Sequence, residues 1–92
     1  MKSRAHIFVS GIVQGVYFRD FTRSHATALS LTGWVRNLPD GRVEAVVEGE
    51  HEEIHHLIKR LKSGSPGSRV ENVEVTWEDT TDSFTGFQIT SW

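Results

Sequence analysis

The order in which strand-like and helix-like spacings of apolar residues follow each other constrains the fold of this chain most. The clearest segment is 50–63, where Ile54, Leu57, Ile58 and Leu61 recur at intervals of three and four, as on one face of a helix. The predicted elements, in chain order, are a strand at 4–10, a helix at about 19–30, strands at 33–37 and 42–49, a helix at 50–63, and strands at 70–77 and 84–90.

This order, β-α-β-β-α-β-β, predicts one α+β domain over residues 1–92, because 92 residues are too few for two cores. Two βαβ-type units joined by a hairpin indicate a ferredoxin-like α/β sandwich. We expect an antiparallel sheet with two helices on one face and the other face more exposed. The expected buried face of the first helix consists of Phe18, Phe21, His25, Ala28 and Leu29.

Composition excludes several classes of function. The chain has no cysteine, which excludes disulfide scaffolds, thiol nucleophiles and cysteine-ligated metal centres. It has no apolar run of the roughly 20 residues that a membrane span needs, no signal-peptide pattern and no RNA-binding pattern of aromatic and basic residues. We therefore expect a cytoplasmic protein that binds neither membrane nor nucleic acid.

The net charge of −2 conceals an asymmetry between the two halves of the chain. Residues 1–42 carry six Lys and Arg against two acids, whereas residues 43–92 carry four against ten. An anion-binding site is therefore expected in the first half.

The first candidate site is the segment Gly11-Ile-Val-Gln-Gly-Val-Tyr-Phe-Arg19, which leaves a strand, turns through glycines and ends at an arginine that opens a helix. Such a loop can direct backbone N–H groups at an anion, helped by the helix N-terminus. Arg19 can add a bidentate contact to phosphate or carboxylate. A glycine bulge followed by a solvated arginine would give the same pattern.

The second candidate is Gly33-Trp-Val-Arg-Asn37, which ends just before the turn Leu38-Pro-Asp-Gly41. The amide of Asn37 can donate and accept hydrogen bonds at once, which suits holding a water molecule. The alternative is an asparagine that caps the turn.

The third candidate is His51-Glu-Glu-Ile-His55, which matches the His-Glu-x-x-His pattern of zinc hydrolases. No histidine follows His56 to complete such a site. We therefore expect no catalytic metal, and adventitious metal binding by His51 and His55 is the more plausible role.

Taken together, the first two candidates and four further segments closely resemble the acylphosphatase family over about residues 4–90. The segments are Val13-Gln-Gly-Val-Tyr-Phe-Arg19, Gly33-Trp-Val-Arg-Asn37, Asp40-Gly-Arg-Val-Glu44, Glu48-Gly49, Pro66-Gly-Ser-Arg-Val70 and Val73-Glu-Val75. The chain departs from the family pattern at Ser30, where many members have glycine, and at Leu38-Pro39, where other members often have polar residues.

The resemblance implies a ferredoxin-like fold and the hydrolysis of acyl phosphates to carboxylate and inorganic phosphate by in-line water attack, without metal or cofactor. It implies that Arg19 binds phosphate and that Asn37 orients the water. The implied phosphate cradle consists of Gln14, Gly15, Val16, Tyr17, Phe18 and Arg19. We expect the protein to be a monomer. Its expected partners are a small-molecule acyl phosphate as substrate and phosphate as product. The alternative is a non-catalytic module that binds phosphate or carboxylate on the same fold.

Overall fold

The computed structural model describes residues 1–91, so Trp92, the last residue of the predicted domain, lies outside the described residues. All seven predicted elements occur in the predicted order. Their bounds are β1 (Lys2–Ile12), α1 (Phe18–Ala28), β2 (Thr32–Asn37), β3 (Val43–Glu50), α2 (His51–Ser63), β4 (Arg69–Glu78) and β5 (Phe87–Ile89). Within the described range, no helix combines the length and apolar character needed to cross a membrane.

The strands form one five-stranded sheet in the order β4-β1-β3-β2-β5. The first four strands of this order pair antiparallel, as predicted, but β5 pairs parallel with β2, so the sheet is mixed. The cause is that residues 79–86 cross from β4 at one edge to β5 at the other and reverse the direction of the chain. Both helices pack on one face, which confirms the ferredoxin-like sandwich.

The hydrophobic core lies between the two helices and the sheet. The predicted face of α2 is confirmed, because Ile54, Leu57, Ile58 and Leu61 are all buried. From the sheet, alternate residues of β1 and β3 point into the same core, where Ile7 and Val47 are fully buried.

The buried face of α1 differs from the predicted one. Phe18 is buried as predicted, but it is joined by Thr22 and Ala26, which the prediction omits, whereas Ala28 is exposed. The small side chains of this face let the helix lie close to the sheet. The hydroxyl of Thr22 donates a hydrogen bond to the Phe18 carbonyl at 2.9 Å, so burial leaves no unsatisfied polar group there. The remaining predicted residues, Phe21, His25 and Leu29, are half-buried at the margin.

The sheet face opposite the helices is more exposed than the helix-covered face, as predicted, because alternate residues of β1 and β2 there are half-buried. At its centre the carboxylates of Glu44 and Glu48 on β3 are buried. Arg36 Nε donates to the Glu44 carboxylate at 2.7 Å, and His6 Nε2 lies 2.6 Å from its other oxygen. Partners on neighbouring strands thus make it possible to bury an acidic residue in the middle of the sheet.

Glu48 holds the crossing segment 79–86 against this face. Its carboxylate accepts hydrogen bonds from the backbone N–H groups of Thr81 and Asp82, at 3.0 and 2.9 Å, and from the hydroxyl of Thr80 at 2.9 Å. Burial raises the pKa of Glu48, but these hydrogen bonds together outweigh burial and hold its pKa below the ordinary value. The carboxylate therefore fixes the path that leads the chain into β5.

Candidate active site

The loop between β1 and α1 turns through residues with left-handed backbone conformation. Gly11 lies at a bulge in β1 with φ +123°, and a Cβ there would come within 2.1 Å of the Arg69 carbonyl oxygen. Gly15 and Tyr17 have φ angles of +76° and +59°, and α1 begins directly after Tyr17. A chain that turns in this way into a helix N-terminus has the backbone geometry of an anion-binding loop.

A cavity of about 320 Å³ lies where this loop meets α1. Four of the six residues predicted to cradle phosphate, Gly15, Tyr17, Phe18 and Arg19, line it. The N-terminus of α1 adds a partial positive charge at this position. The side chain of Tyr17 is 82% exposed and stands at the rim of the cavity.

The charge of Arg19 has no partner among residues 1–91. Of the six Lys and Arg side chains in residues 1–42, Arg19 alone forms no ion pair or hydrogen bond with the residues that the structure describes. The other five pair with carboxylates: Lys2 with Asp82, Arg4 with Glu48 and Glu78, Arg23 with Asp20, Arg36 with Glu44, and Arg42 with Asp40. Of the excess positive charge in residues 1–42, the half-buried guanidinium of Arg19 is therefore the part that is available to an anion.

Asn37 is the last residue of β2 and is half-buried. Its Oδ1 atom is buried and accepts no hydrogen bond from residues 1–91. An unsatisfied buried acceptor costs about 1–3 kcal/mol, so this oxygen is a favourable place for a donor such as water. Across the sheet, Asn37 pairs with Val43, which pairs with Val9 of β1. Two strand spacings, about 10 Å, therefore separate Asn37 from β1.

The two other predicted cradle residues anchor the loop by their own contacts. The Gln14 side-chain amide donates to the carbonyl oxygens of Leu38 and Arg42 at 2.8 and 2.9 Å, and Ser65 Oγ donates to the Val16 carbonyl at 3.3 Å. Gln14 thus ties the loop to both ends of the β2–β3 turn, next to Asn37. The sequence carries no local signal for this bridge, because its partners lie 24 and 28 residues away.

The His-Glu-x-x-His segment lies at the other end of the sheet. His51 begins α2 directly after β3, whereas Asn37 and the β1–α1 loop lie where β1 and β2 end. Among residues 1–91, no group of three or more His, Cys, Asp or Glu side chains is placed to hold a metal ion. His51 and His55 are therefore separate from the cavity that contains Arg19.

Comparison with known proteins agrees with this geometry. The family model described as Acylphosphatase matches residues 5–89. The acylphosphatase of Pelotomaculum thermopropionicum is 51% identical over 88 residues, which cover 96% of each chain, and that of Caldivirga maquilingensis is 53% identical over 94% of this chain and 92% of its own. The crystal structure of the acylphosphatase from Bacillus subtilis superposes with a TM-score of 0.93 at 38% identity and covers 98% of this chain and 99% of its own.

The structure is a ferredoxin-like α+β domain in which the turn between the first strand and the first helix lines a cavity. The chain belongs to the acylphosphatase family. It is an enzyme of that family, and its reaction is the hydrolysis of acyl phosphates.

Proposed function

We propose that the cavity at the start of α1 binds the phosphoryl group of the acyl phosphate and that Arg19 is its principal ligand. The observation that carries this proposal is the guanidinium of Arg19, which lines the cavity and has no partner among the described residues. A guanidinium matches two phosphoryl oxygens with its paired N–H donors. Backbone N–H groups of residues 14–19 supply the remaining donors.

Asn37 positions the attacking water in this proposal. Its buried Oδ1 accepts a hydrogen bond from the water, and the amide nitrogen of the same side chain can donate one to a phosphoryl oxygen. Because neither Asn37 nor Arg19 acts as a base, the water must react with little activation. A loose transition state for phosphoryl transfer allows this, since catalysis then rests on positioning and on stabilisation of charge.

The bonds and protons balance without a general acid. The water oxygen forms a bond to phosphorus while the bond from phosphorus to the acyl oxygen breaks, and the carboxylate departs with the electron pair. One proton of the water passes to a phosphoryl oxygen. The conjugate acid of the leaving group has a pKa of about 4, so the carboxylate departs unprotonated at neutral pH.

Gln14 sets the distance between the two halves of this site. The loop that carries Arg19 and the strand that carries Asn37 are separate elements, and the two hydrogen bonds of the Gln14 amide join them. We assign Gln14 as a positioning residue for this reason. Its backbone N–H group remains part of the proposed cradle.

Hydrolysis of benzoyl phosphate, with and without a chelator, tests the proposal. We expect turnover that a chelator leaves unchanged, and we expect Arg19→Ala to lose both turnover and phosphate binding. Arg60→Ala is the control, because Arg60 is exposed on α2 and does not line the cavity. If the unsubstituted chain binds phosphate but shows no turnover, the alternative of a non-catalytic binding module is the correct one. If turnover is lost on chelation, the protein is a metal-dependent enzyme.

We further propose that residues 1–92 act as a single-domain monomer in the cytoplasm. A core shared by both helices and by strands of the sheet supports the single domain. Size-exclusion chromatography with light scattering would check the monomer, and cell fractionation would check the location.

A further inference from the structure

Two histidines on α2 converge on one point at the surface. His51 and His55 are one helical turn apart, and a hydrogen bond of 3.0 Å joins their Nε2 atoms. His55 is exposed and His51 is half-buried, so both rings can be reached from solvent. This pair takes no part in the proposed reaction, because it lies at the opposite end of the sheet from Asn37.

Neighbouring side chains hold the two rings in place. Ser3 Oγ lies 2.9 Å from His51 Nδ1, and this contact leaves Nε2 as the nitrogen that faces His55. The ring of Trp77 packs against both imidazoles, with centroids 4.5 Å from His51 and 5.1 Å from His55. A ligand histidine whose other nitrogen is hydrogen-bonded is oriented before the metal arrives, as in many metal sites.

We propose that His51 and His55 form a two-histidine clasp for a late first-row divalent cation, Cu²⁺ in preference to Ni²⁺. Two nitrogens that each lie about 2.0–2.1 Å from an ion and subtend 90° at it are separated by about 2.9 Å. Tetrahedral ligands at the same bond length would be about 3.4 Å apart. The observed 3.0 Å is the length of the hydrogen bond between the two rings, and an ion that takes ligands at 90°, as Cu²⁺ and Ni²⁺ do, can replace this hydrogen bond with little movement of either ring.

Water completes the coordination of this clasp. No group of three or more metal-ligating side chains occurs within residues 1–91, so His51 and His55 are the two protein ligands. The acidic side chains of Glu52 and Glu53 in the first turn of α2 offset the partial positive charge of the helix N-terminus. The clasp therefore binds an exchangeable ion that stabilises the fold rather than a catalytic one.

Titration of the untagged chain with CuCl2 and with NiCl2 in a non-coordinating buffer tests the clasp, with thermal unfolding and tryptophan fluorescence as readouts. At a Cu²⁺ concentration ten times the Kd, we expect Tm to rise by roughly 6–11 °C. We also expect quenching by the bound ion, which Trp77→Phe reduces. His55→Gln, a substitution at an exposed position, should weaken binding at least tenfold.

His56→Gln is the matched control, because His56 is the adjacent exposed histidine and lies 3.1 Å from a Glu53 carboxylate oxygen. It should bind Cu²⁺ as the unsubstituted chain does. Equal responses from His55→Gln and His56→Gln, or no response in the unsubstituted chain, would overturn the clasp. Benzoyl phosphate hydrolysis, measured on the same samples before metal is added, should be unaffected by either substitution, so the clasp and the proposed active site can fail independently.

Discussion

Gln14→Ala separates the positioning of the active site from its ability to bind phosphate. The substitution removes two hydrogen bonds, of 2.8 and 2.9 Å, to the carbonyl oxygens of Leu38 and Arg42. Neither oxygen loses its last donor, because Leu38 O still accepts from Gly41 N and Arg42 O from Leu38 N. The expected loss of stability is therefore about 1–2 kcal/mol, at the rate of about 0.5–1.5 kcal/mol for each hydrogen bond.

The effect of Gln14→Ala on catalysis should exceed its effect on stability. Without the bridge, the loop that holds the phosphoryl group can shift relative to Asn37, and a misplacement of about 1 Å costs on the order of 100-fold in rate. We expect kcat for benzoyl phosphate to fall by about 10- to 100-fold. Inhibition by inorganic phosphate should change by less than about threefold, because Arg19 and the loop amides move together.

Steady-state kinetics at a temperature well below the Tm of each variant provides the assay, and Gln88→Ala is the control because Gln88 is an exposed glutamine on β5. If kcat of Gln14→Ala equals that of the unsubstituted chain, Gln14 does not position the site. If kcat and phosphate affinity fall in parallel, the bridge maintains the loop itself and not its distance from Asn37.

Glu48→Gln should destabilise the fold by about 1–3 kcal/mol at pH 7 in denaturant titrations, because neutral donors lose a charged acceptor, against little change for exposed Glu74→Gln. Folding lowers the pKa of Glu48 from 4.5, so its contribution to the free energy of unfolding is complete above that pH and is lost as the pH falls through the folded pKa. The stability difference between Glu48→Gln and the parent should therefore shrink in acid, and a difference that stays constant would refute this. Ser30→Gly should raise the free energy of unfolding by about 0.5–1 kcal/mol, because Ser30 has φ +58°; lower stability would contradict that source of strain. Gly33→Ala should lower the free energy of unfolding by at least about 3 kcal/mol, because its Cβ would lie 1.9 Å from a β3 carbonyl oxygen. Gly86→Ala is the control: a Cβ there meets no atom within 4 Å, so this variant should unfold at nearly the parental denaturant concentration.

The parts of the fold that the sequence predicts correctly are those with local causes. The period of the apolar residues identifies α2 and its buried face, and the turn residues identify the hairpin between β2 and β3. The burial of Thr22 was not predictable from its polarity, because its hydroxyl is satisfied within its own helix. The buried carboxylate of Glu48 was not predictable either, since its backbone donors lie 33 and 34 residues away.

In the candidate site, too, the sequence predicts the features with local causes and misses those that depend on distant residues. Arg19 and the glycines of its loop form a continuous segment, so the sequence alone brings them to attention as an anion site. The residues alone leave Asn37 open between a turn cap and a water ligand, the resemblance implies the water role, and the buried Oδ1 without a partner in residues 1–91 is seen only in the packed structure. The bridge made by Gln14 depends entirely on the tertiary placement of the β2–β3 turn.

In the proposed mechanism Arg19 binds the phosphoryl group and Asn37 positions the water, and Asn37→Ala separates these two roles. Benzoyl phosphate hydrolysis and inhibition by inorganic phosphate would be measured on the same preparation, with Asn72→Ala on the exposed strand β4 as the control. We expect kcat to fall by about 100- to 1000-fold, equivalent to about 2.7–4 kcal/mol, while the inhibition constant for phosphate changes by less than about threefold. Full activity of Asn37→Ala, or an equal loss of phosphate binding, would contradict the proposed mechanism.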